Sequence, residues 1–271
     1  MRGLESVVEQ DEAKRRVFSD LKAVLRPDAI LASNTSSISI TRLASVTDRP
    51  ERFIGLHFMN PVPVMRLVEI IPTAMTDPAT VDDLEAFLTT TLGKGVVYAK
   101  DTPNFIGNRI GVFSILSTIH HTQQFGLGFD EVDGLTGPLV GRPKSATYRT
   151  SDVVGLDTMA HVIKTMADTL PDDPWHAYFK SPAWLDALVA KGALGQKTGA
   201  GIFRKLGKDI VVLDLEKQDY RIADRAAAPE VVEILKERDP ARKFAALRAS
   251  EHPQARFLWA CFRDLFHYSA Y

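Results

Sequence analysis

The first hundred residues alternate short apolar runs with segments of helical periodicity. Runs of four or five residues, each bounded by turn residues, occupy positions 29–32, 53–56, 67–71 and 95–99. Continuous apolar runs of this length are typical of strands that are buried on both faces of a parallel sheet. Between them, the spacing predicts helices over about residues 11–26 and 78–92. We therefore expect an α/β domain over residues 1–100, in which a first strand ends near Glu9.

The pattern changes after residue 101. From Phe105 to His121 the chain is apolar nearly all round, which indicates a helix that is packed on several sides. Further helices are expected at 130–135, 151–170 and 182–191. Ser151 would be the N-cap of the second of these helices. We assign residues 101–206 to an all-α domain.

Residues 207–271 are less regular. Alternation at 209–215 predicts a short strand or hairpin, and the charged, alanine-rich stretch from 221 to 250 lacks a strong apolar stripe. We interpret this part of the chain as a linker that leads to an apolar helix beginning near Phe257.

Composition excludes several classes of function. The chain has 33 basic and 34 acidic side chains, so it has no broad positive electrostatic potential that would attract nucleic acid or an anionic membrane. Its one cysteine, Cys261, cannot form an internal disulfide or a cysteine metal cluster, and no apolar run approaches the length of a membrane span. The adjacent His120 and His121 would point about 100° apart on a helix, so we expect no metal site. A reducing cytoplasmic location fits these features best.

Polar residues follow the apolar runs at positions where chemistry could occur. A hydroxyl-rich segment spans Ser33 to Ser37, and His57 and Glu69 lie on neighbouring predicted strands. A neutral imidazole is a natural base for an alcohol proton near neutral pH. A carboxylate that accepts the second imidazole N–H would fix the tautomer and stabilise the imidazolium. We predict His57 as the base and Glu69 as the acid that orients it.

Four segments, in this order and spacing, closely resemble the 3-hydroxyacyl-CoA dehydrogenase family: Ser-Asn-Thr-Ser-Ser at 33–37, His-Phe-Met-Asn-Pro-Val-Pro-Val-Met at 57–65, Leu-Val-Glu at 67–69 and Asp-Thr-Pro-Asn-Phe-Ile-Gly-Asn-Arg at 101–109. Gly-Leu-Asp-Thr at 155–158 and Lys-Thr-Gly-Ala-Gly-Ile-Phe at 197–203 add to the match. The resemblance runs from about residue 4 to 206. Asn104 and Ala146 depart from it, because the family usually has glycine at both positions.

The resemblance implies a Rossmann-type NAD domain followed by a helical domain for substrate binding and dimerisation. It implies NAD-dependent oxidation of a (S)-3-hydroxyacyl-CoA to the 3-oxo product in fatty-acid β-oxidation, with an acyl-CoA substrate and a homodimer formed through the helical domain. Residues past 206 resemble longer members, in which a second helical repeat follows.

The resemblance also implies roles for individual residues. Ser36 and Asn108 match positions that contact the substrate oxygen and thioester, so they join His57 and Glu69 as predicted catalytic residues. The residues at family positions that touch the nicotinamide half of NAD are Glu9, Lys14, Ser36, Asn60 and Lys197. From the residues alone, Ser36 could instead cap a helix, Lys14 could lie on a solvated helix face and Lys197 could close a turn.

The chain contains no Gly-x-Gly-x-x-Gly, the turn that holds a dinucleotide's diphosphate. In the family this turn precedes the matched region, so we expect an incomplete Rossmann-type sheet and a truncated, weakly active or inactive piece. Two alternatives remain open at this point. One is a non-enzymatic dimerisation or interaction remnant of such a dehydrogenase. The other is a sister dehydrogenase of sugar acids, which shares the His-x-x-Asn-Pro arrangement.

Overall fold

The computed structural model describes residues 2–270, and the chain divides into two compact units, Met1–Arg109 and Ile110–Tyr271. The division falls about nine residues later than the predicted end of the α/β domain. No division appears near residue 206, where the sequence suggested a second boundary.

The first unit contains a five-stranded sheet, and its strands follow the chain in space from β1 to β5. They are β1 (Arg2–Glu5), β2 (Ile30–Ser33), β3 (Phe53–Phe58), β4 (Leu67–Ile71) and β5 (Gly95–Tyr98). The sheet is mixed, because β4 runs antiparallel to β3 while the other neighbours are parallel. The predicted all-parallel sheet is wrong at this one pairing. The eight residues between β3 and β4 are too few for a crossover helix, which a parallel connection needs.

Three helices of the first unit pack against the sheet, and capping residues explain where two of them begin. They are α1 (Asp11–Leu21), α2 (Ile40–Ala44) and α3 (Pro78–Ala86). The Asp77 side chain accepts from the Ala79 N–H, and Ser39 rather than Ser36 caps α2. One cluster of buried side chains includes Phe18 of α1 and Phe53. A second includes Ile54 and Leu84, so each face of the sheet has a core.

The last strand of the sheet differs from the prediction of a strand buried on both faces. Val97 and Tyr98 of β5 are exposed, and Tyr98 donates to the Glu85 carboxylate at the surface. An edge position explains this exposure, since β5 pairs only with β4 among the described strands.

The chain from residue 107 onward is mainly helical. Its helices are α4 (Gly107–Phe125), α5 (Phe129–Thr136), α6 (Tyr148–Val154), α7 (Leu156–Thr169), α8 (Ala183–Ala190), α9 (Pro229–Lys236), α10 (Pro240–Ala249) and α11 (Pro253–Ala270). A small antiparallel sheet consists of β6 (Phe203–Leu206), β7 (Asp209–Asp214) and β8 (Asp219–Ile222). None of the helices described between residues 2 and 270 is long and apolar enough to cross a bilayer.

Two predictions about the second unit are wrong in detail. Ser151 lies inside α6 and is not an N-cap, because Gly155 at φ 103° separates α6 from α7. Residues 207–271 do not form a linker. Buried Leu247 and Phe257 belong to the same apolar cluster as Phe113 and Leu135, so this segment completes the core of the helical unit.

Candidate active site

His57 and Glu69 form the centre of the candidate site. They face each other directly in the register of the antiparallel strands β3 and β4, so their side chains leave the same face of the sheet. The distance from His57 Nδ1 to Glu69 Oε2 is 2.6 Å, and both side chains are buried. This pairing needs the antiparallel register, which the sequence alone did not predict.

Glu69 is held from a second direction by backbone. Its Oε1 accepts the N–H groups of Ile106 and Gly107, each at 2.8 Å. The turn that presents them contains Asn104 and Phe105 at positive φ, 62° and 48°, which is uncommon for residues other than glycine. Burial alone would raise the pKa of Glu69, but the hydrogen bonds from His57, Gly107 and Ile106 bring it below its ordinary value. The carboxylate is therefore ionised at neutral pH and can only accept.

The other side of the imidazole faces a hydroxyl. His57 Nε2 lies 3.2 Å from Ser36 Oγ, and the Phe105 ring lies 5.4 Å from the imidazole centroid. Because ionised Glu69 can only accept, neutral His57 carries its proton on Nδ1, and Nε2 presents a lone pair. The arrangement suits removal of a proton from a hydroxyl group at Nε2.

Glu9 holds the serine-rich turn that carries Ser36. Its Oε1 accepts the backbone N–H groups of Ser36 at 2.9 Å and Ser37 at 3.0 Å. The hydroxyls of Thr35 and Ser37 also donate to this oxygen. Burial tends to raise the pKa of Glu9, but the Thr35 hydrogen bond and the Lys14 ammonium bring it below its ordinary value. Glu9 thus fixes Ser36 at the position from which its hydroxyl reaches His57.

Lys14 is buried and does not lie on a solvated helix face. Its ammonium is 2.8 Å from Glu5 Oε1 and 3.3 Å from Glu9 Oε2. The other oxygen of Glu5 accepts the Ser33 hydroxyl at 2.6 Å. A buried ammonium needs such partners, and here they join β1, α1 and the end of β2. No sequence motif indicated a role for Glu5.

The remaining predicted site residues are less engaged. Asn60 is exposed in the loop after β3, and its peptide bond to Pro61 is cis. Its side chain has no hydrogen-bond partner among the described residues. Asn108 lies in the first turn of α4 and is half-buried. Lys197 belongs to the second unit, where its ammonium is 2.6 Å from an Asp157 carboxylate oxygen. The structure therefore groups His57, Glu69, Ser36, Glu9 and Lys14. The roles of Asn60, Asn108 and Lys197 stay predictions.

Two further residues support the site, although the sequence pattern indicated no role for them. Asn34 accepts the Phe58 N–H at 2.9 Å, which ties the end of β2 to the residue after His57. The Asp101 carboxylate accepts the backbone N–H groups of Ile40 and Thr41 at the start of α2. Asn34 and Asp101 belong to the motifs at 33–37 and 101–109, but their hydrogen-bond partners are set by tertiary structure.

The residues at this edge fit one end of a dinucleotide. Glu9, Ser36 and Asn60 lie at the carboxyl ends of β1, β2 and β3, where α/β sheets bind such ligands. Glu9 is partly exposed and the Asn60 amide is open to a ligand. The glycine-rich turn that would hold the diphosphate has no counterpart in the sequence. The family resemblance assigns Glu9, Ser36 and Asn60 to the nicotinamide half of NAD.

Comparison with protein families gives two adjoining matches. Residues 4–102 match the NAD-binding domain of 3-hydroxyacyl-CoA dehydrogenase, and residues 105–205 match its C-terminal domain. A Bacillus subtilis protein named "Probable 3-hydroxyacyl-CoA dehydrogenase" is 40% identical over 269 residues, which are 98% of this chain and 34% of that protein. A 3-hydroxybutyryl-CoA dehydrogenase of Bradyrhizobium diazoefficiens is 42% identical over 200 residues, which are 74% of this chain and 66% of that protein.

Solved structures give the same result. FadB2 of M. tuberculosis is 37% identical and aligns with a TM-score of 0.68, covering 76% of this chain and 70% of that chain. The (S)-3-hydroxybutyryl-CoA dehydrogenase PaaH1 of Ralstonia eutropha is 34% identical with a TM-score of 0.63, covering 74% and 69%. The chain therefore spans about a third of the Bacillus relative and about two thirds of the others.

Proposed function

This chain belongs to the 3-hydroxyacyl-CoA dehydrogenase family of NAD-dependent oxidoreductases, and we propose that it acts on the 3-hydroxyl of a (S)-3-hydroxyacyl-CoA to form the 3-oxoacyl-CoA. The observation that carries the proposal is the 2.6 Å contact of His57 Nδ1 with Glu69 at the carboxyl end of β3. A buried imidazole with one nitrogen fixed as a donor leaves the other as a base for an alcohol.

His57 Nε2 takes the hydroxyl proton of the substrate while Glu69 stabilises the imidazolium that forms. Two backbone N–H groups hold Glu69, so the imidazole keeps its orientation during the transfer. Ser36 donates to the substrate oxygen, and Asn108 donates to the thioester carbonyl. Glu9, Lys14, Asn60 and Lys197 would hold the nicotinamide half of NAD. Bound NAD supplies the hydride acceptor.

The proposal is tested by NADH oxidation with acetoacetyl-CoA, the reverse reaction. His57→Gln should lower the rate by roughly 100-fold or more, because general acid–base catalysis contributes about 10²–10⁴. His161→Gln is the matched control, since His161 is exposed on α7, and it should stay within about twofold of the parent chain. A keto-sugar acid is assayed beside the thioester. Preference for the sugar acid, or equal rates in the two histidine variants, contradicts the proposal.

We infer that this chain by itself binds NAD weakly, with a Kd on the order of 1 mM or above. The basis is the missing Gly-x-Gly-x-x-Gly, since the residues that fit the cofactor serve the nicotinamide half only. Calorimetry with NAD and with nicotinamide mononucleotide separates the two halves. We expect affinities within about threefold of each other, and NAD binding more than about tenfold tighter than the mononucleotide would contradict this inference.

Three broader features accompany the proposal. A role in fatty-acid β-oxidation follows from the substrate class. A homodimer formed through the helical unit is what the family resemblance implies. A cytoplasmic location fits the single, half-buried Cys261, whose thiol pKa is raised to about 12 by burial. Sedimentation at several concentrations tests the dimer, and a monomer at all of them would exclude it.

A further inference from the structure

Glu5 is a buried carboxylate at the end of β1, beside the candidate active site. Its side chain is 1% exposed, and its Oε1 accepts from the Lys14 ammonium at 2.8 Å and from the Val7 N–H at 2.5 Å. Its Oε2 accepts the Ser33 hydroxyl at 2.6 Å. A buried charge is tolerated when it is both paired and hydrogen-bonded, and Glu5 meets the two conditions. Glu5 and Lys14 thus form a buried ion pair.

Lys14 lies between two carboxylates. Its ammonium is 2.8 Å from Glu5 Oε1 and 3.3 Å from Glu9 Oε2, and its own side chain is 1% exposed. A ligand therefore cannot contact this ammonium and is influenced only by its charge. Glu9 is different, because 38% of its side chain is exposed at the carboxyl end of β1. We call these three residues the Glu5–Lys14–Glu9 cluster, which contains one cation and two carboxylates.

The cluster has one more carboxylate than it has cations. Burial would raise the pKa of Glu9, but its hydrogen bonds and the Lys14 charge bring it below its ordinary value, so Glu9 is ionised at neutral pH. Lys14 is closer to Glu5 than to Glu9, which leaves Glu9 as the carboxylate without full compensation. Asp11 nearby adds little, since Arg42 pairs with it at 3.0 Å. The cluster therefore presents one net negative charge at its exposed end.

We propose that Glu5 is a positioning residue that neutralises Lys14, so that the negative charge of Glu9 makes the cofactor site prefer oxidised over reduced nicotinamide. The oxidised ring carries one positive charge and the reduced ring carries none. A net negative charge beside the ring therefore stabilises the oxidised form selectively, and burial of the Glu5–Lys14 pair limits screening by salt. The inference rests on the proposed function, because it takes the nicotinamide half of NAD as the ligand at this edge.

NMR titration of the full chain with oxidised and with reduced nicotinamide mononucleotide tests this charge effect. The two probes differ in the charge of the ring, and the quantity measured is the ratio of their affinities. Glu5→Gln keeps the side-chain shape and removes one negative charge, so the preference for the oxidised probe should fall by about fivefold. Glu12→Gln is the matched control, because Glu12 is exposed on α1, and it should leave the ratio within about 1.5-fold.

Two further variants separate charge from structure. The double variant Glu5→Gln/Lys14→Met removes both members of the buried pair, which folds often tolerate, and leaves the single negative charge of Glu9. Its ratio should return to within about twofold of the parent chain. Lys14→Met alone should keep or raise the preference for the oxidised probe, which gives a test even if Glu5→Gln does not fold. A purely structural role for Glu5 would instead weaken both probes alike.

The proposal is overturned if Glu5→Gln has the same ratio as Glu12→Gln, if the double variant does not recover the parent ratio, or if Lys14→Met lowers it. It is also overturned if the parent chain binds neither mononucleotide. The acetoacetyl-CoA assay with His57→Gln tests the proposed function separately, because it reports proton transfer and not the charge of the cofactor site.

Discussion

At the scale of single residues, the site depends on the hydrogen bonds that both carboxylate oxygens of Glu69 make. One oxygen contacts His57 and the other accepts two backbone N–H groups, so the carboxylate has no freedom to turn away. The identities of His57, Glu69 and Ser36 could be predicted from the sequence, because their chemistry is local to their motifs. The roles of Glu5, Asn34 and Asp101 could not, since the partners cited for them lie between 24 and 61 residues away in the chain.

The lowered pKa of Glu69 predicts how stability depends on pH. The unfolded chain takes up the Glu69 proton near the ordinary value of 4.5, and the folded protein does so only at lower pH. The stabilisation from this group is therefore complete above about pH 4.5 and is lost as the pH falls through the lowered folded value.

Glu69→Gln should remove this dependence. At pH 7 the variant should be about 1.5–3 kcal/mol less stable, which is typical for loss of a charge-assisted hydrogen bond. Urea unfolding at pH 7 and pH 4 measures the difference, which should shrink at pH 4. Glu12→Gln is a control at an exposed carboxylate on α1. A difference between parent and Glu69→Gln that is equal at the two pH values would contradict the account.

At the scale of elements, the antiparallel pairing of β3 with β4 brings the site together. The existence of both strands could be predicted from their apolar runs, whereas their relative direction could not, because each run is apolar on both faces and shows no register. The Asp77 cap and the helical spacing of α3 could also be predicted from the sequence, since these signals lie within a few residues of each other.

Gly55 shows how closely α2 and β4 pack on β3. A Cβ at this position would lie 2.7 Å from Ile40 Cγ1 and 2.9 Å from Ile71 Cβ. Gly55→Ala should therefore cost about 1–3 kcal/mol through overpacking. Gly3→Ala on β1 is the matched control, because its Cβ would have only ordinary contacts, the nearest at 3.5 Å. Urea unfolding of both variants checks this, and equal stabilities would show that the strand packing is looser than described.

At the scale of the whole molecule, the predicted family and fold class are confirmed, an α/β unit followed by a mainly helical one. The strand near 209–215 and the apolar helix near Phe257 could be predicted. The stretch between them was not recognised as part of the core, because α9 and α10 are short and charged and their apolar side chains are buried only by tertiary packing. The family and fold class could be predicted because the motifs are local in the sequence, whereas burial depends on residues that are distant in the chain.

Leu247 tests whether residues 207–271 complete the helical core. Its side chain is fully buried in the same cluster as Phe113, so Leu247→Ala should cost about 2–5 kcal/mol of stability. Leu206→Ala is the comparison, because Leu206 is 61% exposed, and it should change stability by less than about 0.5 kcal/mol. If thermal unfolding shows the two variants to be equally stable, the segment is a linker after all.

The central claim is that Glu69 fixes His57 with its proton on Nδ1 and a lone pair at Nε2. Long-range ¹H–¹⁵N NMR of the imidazole nitrogens measures this directly, with His57→Gln to assign the signal among the seven histidines. The account predicts a single Nδ1–H tautomer for neutral His57, while exposed His161 shows exchanging tautomers. A proton found on Nε2 of His57, or a free mixture of both forms, would contradict it.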